Sequence, residues 1–191
     1  MRTRRQNLSR LGLRIFLGAI VLSGASGAAA VYVGPEAIIG PSDIELHGID
    51  CRTVASTKMR DAHGTWIRQY IVADTEDDLI RLRTASRVAE AIRKDEAPHL
   101  VQVSVVDDAN AASRSDMRGR AIGAQVTIIP EPVADFEIQA GRYSGFSMQG
   151  AAGADGNFYG VRFDVPQQDI GSMIDGFREV RGCPAGAPSG A

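Results

Sequence analysis

The pattern of hydrophobic and polar positions predicts strands that alternate with helices from residue 65 onward. Residues 65–73 alternate with a period of two, which predicts a strand with Ile67 and Ile71 on one face. Residues 99–106 form a second predicted strand, with the valines at 101, 103 and 105 on one face. A third strand is predicted at residues 124–130, with Val126 and Ile128 inward.

A long helix is predicted between the first two strands. Thr75 and Asp78 form a capping-box pattern at its start, and Pro98 prevents its continuation. Apolar residues recur at helical spacing along it, namely Leu79, Leu82, Ala85, Ala89 and Ile92. A strand, a long helix and a second strand form a right-handed crossover, so the two strands are predicted to be parallel.

The second half of the chain has weaker patterns. Residues 135–140 and 157–165 are predicted strands, and residues 141–156 between them form a long glycine-rich loop or contain another short strand. Residues 166–180 are predicted to form a closing helix that Gly182 ends. Together the elements predict an α/β fold, with α+β as the alternative. The architecture is a two-layer sandwich with a mixed sheet of about five strands and helices mainly on one face.

The first 33 residues are predicted to carry the chain into or across a membrane. Five arginines precede an uncharged run from Ile15 to Val33, and the cleavage pattern Ala28-Ala29-Ala30 lies within it. A cleaved signal peptide is the favoured interpretation. A permanent anchor through residues 15–33 is the alternative, because about 20 apolar residues span a bilayer. The Arg4-Arg5 pair leaves a twin-arginine export route open.

The predicted organisation has four parts. Residues 1–33 are the signal peptide or anchor, and residues 34–42 are a linker. Residues 43–183 form a single globular domain, and residues 184–191 form a disordered tail. A domain of about 140 residues is long enough to bury a core of its own.

The charge balance excludes nucleic acid as a partner. The chain has 21 Lys and Arg against 23 Asp and Glu, and removal of residues 1–30 takes away five arginines and no acidic residue. The remaining chain is therefore acidic. Nucleic-acid binding depends on basic residues that neutralise phosphates, so an acidic domain is unsuited to it.

Cys51 and Cys183 are predicted to form a structural disulfide that joins the two ends of the domain. A redox pair is disfavoured, because redox motifs keep their cysteines close in sequence. A metal site of His47, Cys51 and His63 is a weaker alternative, since no paired metal-binding motif occurs in the sequence. Neither a metal nor a cofactor is predicted.

Asp107 and Asp108 are candidate ligand-binding residues because they directly follow a predicted parallel strand. Ligands of open α/β sheets bind beyond the carboxyl ends of strands, and adjacent carboxylates can hold a cation or act in acid–base chemistry. The competing interpretation is that one of them, with Asn110, caps a short helix that ends near Gly119 or Gly123.

Arg114 and Arg118 are the other candidate ligand-binding residues. They lie one helical turn apart and could hold an anionic ligand, although a solvated helix face is the commoner outcome. The glycine-rich stretch at residues 150–156 has no lysine, so it does not form a phosphate-binding loop.

The sequence is compatible with two functions. The favoured one is an exported, non-catalytic binding or accessory protein whose partner is a protein of the bacterial envelope, because no catalytic motif occurs and glycine-rich loops suit recognition. The alternative is a small-ligand-binding protein or hydrolase-type enzyme with a site at the strand ends near Asp107 and Asp108. Membrane contact is expected only through residues 15–33, if they are not cleaved.

Overall fold

The computed structural model describes residues 42–62, 64–111, 115–131 and 142–185. Six strands in these ranges form one mixed sheet in the order β1-β2-β3-β4-β5-β6. The elements are α1 (Asp43–His47), β1 (Arg52–Asp61), β2 (Gly64–Val72), α2 (Asp78–Glu96), β3 (Leu100–Val106), β4 (Ile122–Ile128), β5 (Tyr143–Met148), β6 (Arg162–Val165) and α3 (Gln167–Asp175). The predicted two-layer α/β fold is confirmed.

The parallel pair of the sheet is β2 and β3. Their register runs from Trp66 opposite Leu100 to Val72 opposite Val106, whereas all other neighbouring strands are antiparallel. The helix α2 connects these two strands, so their predicted parallel pairing is confirmed. Because the two strands end in register, the residues that follow them meet at one edge of the sheet.

The core lies between the sheet and the helices α2 and α3. Alternate residues of β2, β3 and β4 point into it, as the period-two pattern predicted. The buried set comprises Ile67, Ile71, Ala73, Leu82, Ala85, Val88, Ala89, Ile92, Val101, Val103, Val105, Ala124, Val126, Ile128, Ile170 and Ile174. Leu79 was predicted to belong to this set, but its side chain is 45% exposed because it lies in the first turn of α2, at the margin of the core.

The start of α2 differs from the prediction. The N-cap is Asp77, whose carboxylate accepts hydrogen bonds of 2.9 Å from the amides of Leu79 and Ile80. Thr75 instead accepts a hydrogen bond of 3.2 Å from the amide of Asp77. The capping box of Thr75 and Asp78 is therefore wrong, because the helix begins later than the pattern indicated.

Two short 3₁₀ turns, Asp108–Asn110 and Gly119–Ala121, lie in the connection from β3 to β4. They stand in the described part of that connection, where a weak α-helix was predicted. Residues 112–114 lie outside the described residues.

The second half of the chain departs most from the prediction. The strand β5 lies within the glycine-rich segment, as one of its two interpretations held, but the strand predicted at 157–165 is reduced to β6. The helix α3 ends at Asp175 with Gly176 as its C-cap, so Gly182 does not end it. The chain has to leave the helix there because it returns to the start of β1. The strand predicted at residues 135–140 lies outside the described residues.

The ends of the fold are joined as predicted. Cys51 and Cys183 form a disulfide with a Cα–Cα distance of 5.1 Å. Next to it, the amide of Thr53 donates to the carbonyl of Pro184 (2.9 Å), and Thr53 forms an isolated parallel bridge with Ala185. Disulfides of this kind are typical of oxidising compartments. The bond also removes Cys51 as a thiolate ligand for metal.

The segment that carries the predicted signal peptide or anchor, residues 1–33, lies outside the described residues, as do most of the predicted linker at 34–42 and the tail beyond Ala185. Among the helices that the structure describes, none has the length and apolar character needed to span a membrane.

Candidate functional site

A cleft of about 480 Å³ lies at the carboxyl ends of β2 and β3. Its apolar lining includes Val72 and Val106, the last residues of these two strands, and the ring of Phe158 from the loop after β5. The segments that follow the strands complete the lining, which includes both predicted ligand candidates Asp107 and Asp108. We refer to this region as the strand-end cleft.

The two predicted carboxylates are held by neighbouring groups. Asp107 is the N-cap of a 3₁₀ turn and accepts a hydrogen bond of 2.9 Å from the amide of Ala109. Asp108 forms an ion pair with Arg52, the first residue of β1. The structure therefore supports the capping interpretation for Asp107 and also places both residues on the cleft. The two interpretations do not exclude each other.

Two further carboxylates on the cleft, Asp74 and Glu76, follow β2 as Asp107 and Asp108 follow β3. Both are exposed, and the described residues offer neither of them a hydrogen-bond or ion-pair partner. Asp107 and Asp108 were selected because they follow a parallel strand. The same criterion applies to β2, so Asp74 and Glu76 could have been predicted from the sequence but were not.

Arg81 forms part of the cleft wall, a role that no sequence pattern indicated. Its side chain is 1% exposed and lies on α2. It donates hydrogen bonds to the carbonyl oxygens of Thr75 (3.0 Å), Met148 (2.6 Å) and Gly150 (2.8 Å). The guanidinium carbon is 4.8 Å from the centre of the Phe158 ring, a cation–π contact. Arg81 thus connects α2, the segment after β2 and the end of β5.

The environment of Arg81 is unusual for a cation. Burial lowers the pKa of its guanidinium, and the nearby carboxylates of Asp78 and Asp77 act in the opposite direction. Its Nε has no hydrogen-bond partner among the described residues. Buried charges are generally paired with an opposite charge. A buried guanidinium that is held mainly by backbone carbonyls therefore carries a desolvation cost in free energy.

The loop at residues 149–161 forms the outer wall of the cleft. Its Phe158 is 3% exposed and packs on the backbone at Gly123, where a Cβ atom would collide with the ring. The amide of Phe158 donates to the carbonyl of Arg120 (2.8 Å). These contacts attach the glycine-rich loop to the connection before β4, which fixes the aromatic wall.

A small hydrogen-bond cluster orders the tip of this loop. The carboxylate of Asp155 accepts from the amide and the side chain of Asn157 (3.1 and 2.9 Å) and from the hydroxyl of Tyr159 (2.5 Å). These bonds lower the pKa of Asp155 to about 2, with the Asn157 side chain as the largest cause. The hydrogen bond that the Tyr159 hydroxyl donates to Asp155 raises the pKa of that hydroxyl.

Arg118, the described member of the predicted arginine pair, does not line the cleft. Arg118 is exposed and donates to the carbonyl of Ser115 at 2.5 Å, within its own turn. Arg114 lies outside the described residues. The binding of an anionic ligand by Arg114 and Arg118 therefore remains a prediction.

The two described members of the alternative metal site, His47 and Cys51, are both engaged with other groups. His47 is buried, and its Nε2 accepts from the amides of Arg178 (2.9 Å) and Glu179 (3.3 Å), while its Nδ1 is 2.9 Å from the Asp43 carboxylate. Because both ring nitrogens face protein groups, this histidine connects α1 to the segment after α3. His63 lies outside the described residues, and the described residues contain no group of three or more His, Cys, Asp or Glu placed to hold a metal ion.

No protein family, curated protein or solved structure matches the chain. Its function is therefore inferred from the residues and geometry of the strand-end cleft.

Proposed function

We propose that the chain is an exported, non-catalytic binding or accessory domain of the bacterial envelope and that it binds its partner at the strand-end cleft. The observation that carries this proposal is the position of the cleft, which opens where both parallel strands end and where carboxylates follow each of them. Ligands of open α/β sheets bind at such places. The cleft volume of about 480 Å³ lies within the usual range for ligand sites.

The way the charged residues are held favours binding over catalysis. Asp107 caps a turn, Asp108 pairs with Arg52, and Arg81 is bonded to backbone carbonyls. A general acid or base has to be within reach of a reacting proton and oriented by a neighbour for that purpose. The described lining contains Thr75 but neither a histidine, a serine nor a cysteine.

The charge of the lining supports a cationic group as the ligand. Asp74, Glu76, Asp107 and Asp108 oppose only Arg52 and Arg81. Since Arg52 pairs with Asp108, the exposed carboxylates of Asp74 and Glu76 remain to receive an ammonium or guanidinium group. This group belongs to a lysine or arginine side chain of an envelope protein or to a small amine, and the two sources have the same chemistry at the cleft.

Titration of the protein with small cationic probes tests the proposal. N-acetyl-lysine amide and N-acetyl-arginine amide represent a partner's side chains, putrescine represents a free amine, and N-acetyl-norleucine amide is the neutral control. We expect saturable amide chemical-shift changes around the cleft with the cationic probes and none with the neutral one. Stronger binding of the amino-acid amides than of putrescine would indicate a protein partner, and the reverse order a small amine.

Three variants test whether binding depends on the cleft. Asp74→Asn combined with Glu76→Gln should weaken cationic binding by about fivefold, because a partly exposed charge contact contributes roughly 1 kcal/mol. Asp107→Asn retains a side chain that can cap the turn, so any change in cationic binding comes from the loss of its charge. Asp175→Asn removes an exposed carboxylate of α3 outside the cleft and should leave binding unchanged. Equal binding of the neutral and cationic probes would contradict the proposal.

Export is supported by two independent features. The first 33 residues have the charge and hydropathy pattern of a signal peptide. The disulfide between Cys51 and Cys183 is of the kind that persists in oxidising compartments. Together they support an extracytoplasmic location in the envelope.

A further inference from the structure

The strand β6 forms one edge of the sheet, and in the described residues no strand pairs with its outer side. Its residues Arg162, Phe163 and Asp164 are exposed, and Phe163 keeps 47% of its side chain accessible. Val161, which precedes β6, is 58% exposed. An exposed strand edge with apolar side chains is a template for another strand.

The pairing of β6 with β5 determines which backbone groups point outward. Phe163 lies opposite Ser147, and the carbonyl of Val161 accepts from the amide of Gln149 at 2.9 Å. Backbone groups of successive residues in a strand point to opposite sides. Since residues 161, 163 and 165 face β5, the amides and carbonyls of Arg162 and Asp164 face away from the sheet and are directed to a further strand.

The sequence of this edge is self-complementary. Residues 161–165 read Val-Arg-Phe-Asp-Val, so an antiparallel copy centred on Phe163 places valine opposite valine and Arg162 opposite Asp164 of the second copy. The outward-facing amides and carbonyls of Arg162 and Asp164 are those that this register requires for its four hydrogen bonds. We propose that the chain forms a twofold dimer by antiparallel pairing of β6 with β6 of a second copy.

The side chains favour this one register. In the single chain, Nη2 of Arg162 is 2.7 Å from Oδ1 of Asp164. In the dimer, each of these residues has an opposite charge directly across from it on the second copy. A parallel, in-register pairing would instead place Arg162 beside Arg162 and Asp164 beside Asp164. The two Phe163 rings meet at the twofold axis in a non-hydrogen-bonded pair, where cross-strand side chains are closest. Charged residues usually protect an edge strand from pairing, whereas here they select a single partner.

The proposed dimer is independent of the proposed function, because neither Val161 nor any residue of β6 lines the strand-end cleft. The failure of one proposal therefore leaves the other in place. The sheet of the dimer is continuous across the two copies, and the interface is isologous.

Charge exchange at β6 tests the dimer by sedimentation equilibrium. The experiment uses the chain isolated from an expression host as that host processes it, over a range of concentrations. We expect a reversible monomer–dimer equilibrium for the natural chain. Arg162→Asp places two acidic pairs across the interface, and Asp164→Arg places two basic pairs. Each should weaken dimerisation by about tenfold or more, since cross-strand pairs contribute up to about 1 kcal/mol each.

Two rescue experiments and one control make the test specific. The double variant Arg162→Asp/Asp164→Arg restores opposite charges and should dimerise again. An equimolar mixture of the two single variants should form heterodimers, because each supplies the charge that the other lacks. Arg60→Asp on the opposite edge strand β1 should leave the equilibrium unchanged, and circular dichroism should show that each variant is folded. A monomeric mass at every concentration, or dimers that the single variants leave intact, would overturn the proposal.

Discussion

Arg81 brings together three parts of the chain at the cleft, so its removal should lower the stability of the whole domain. Arg81→Ala leaves the carbonyls of Thr75, Met148 and Gly150 without their donor and removes the cation beneath Phe158. We expect the free energy of unfolding to fall by about 3 kcal/mol or more, as for other disrupted buried polar networks.

Chemical denaturation measures this change. Arg83→Ala is the matched control, because it removes a half-buried arginine of the same helix that has no hydrogen bond or ion pair to described residues. Its effect should stay within about 0.5 kcal/mol. A similar loss for both variants would show that the contacts of Arg81 are not what stabilises the cleft wall.

Asp155 gives the loop tip a defined pH dependence. Its pKa is about 2 in the folded protein against an ordinary value of 3.8, so the folded state favours the ionised form. The stabilisation from its bonds to Asn157 and Tyr159 is therefore complete above the ordinary pKa and is lost as the pH falls from about 4 to about 2. Tyr159→Phe removes one donor and should raise the pKa of Asp155.

Carbon-detected NMR titration of the Asp155 carboxyl measures this pKa in both proteins. Asp175 is the internal reference, because it is exposed on α3 and does not contact the loop cluster. An unchanged Asp155 titration in Tyr159→Phe would mean that the hydroxyl does not donate to it in solution.

At the scale of elements, the predictable part of the fold is the crossover of β2, α2 and β3. Its strands alternate well enough to be recognised, its helix has an apolar stripe, and the topology of such a unit follows from chain handedness. The edge strand β1 was missed because its sequence is rich in polar residues and its side chains are mostly half-exposed or exposed. A strand at an edge needs no apolar alternation when one side of it faces solvent.

The end of α3 shows a second limit of sequence patterns. The apolar spacing of Ile170, Ile174 and Phe177 predicts a helix that continues past Gly176, but the structure ends it at Asp175. The amides of Arg178 and Glu179 are bonded to His47, and Cys183 is bonded to Cys51. These long-range contacts redirect the chain, and no local pattern contains them.

The candidate site was predictable only in part, for the same reason. Asp107 and Asp108 follow a strand whose direction was known from the crossover, so their place on the cleft could be inferred. Arg81 lies within the helix, among apolar residues, and its partners Met148 and Gly150 are far away in sequence. Charge on a helix usually indicates a solvent-facing side, and only the three-dimensional structure shows that this charge is buried.

At the scale of the whole molecule, the disulfide connects the proposed export to stability. Cys51 and Cys183 are separated by 132 positions, so their bond closes nearly the whole domain into one loop. In the chain-entropy model such a loop stabilises the folded state by roughly 4–5 kcal/mol. A chain that folds outside the cytoplasm can form this bond, whereas the same chain kept in a reducing compartment would lose that contribution.

The protein isolated from a bacterial envelope should carry this bond and lack the predicted signal peptide. We expect an intact mass that corresponds to loss of residues 1–30, and thiols that an alkylating reagent modifies only after reduction. Reduction should lower the free energy of unfolding by about 4 kcal/mol, and the double variant Cys51→Ala/Cys183→Ala should match the reduced protein. A full-length chain would favour the anchored alternative for residues 15–33. Two thiols that react without reductant would contradict the disulfide and remove its support for export.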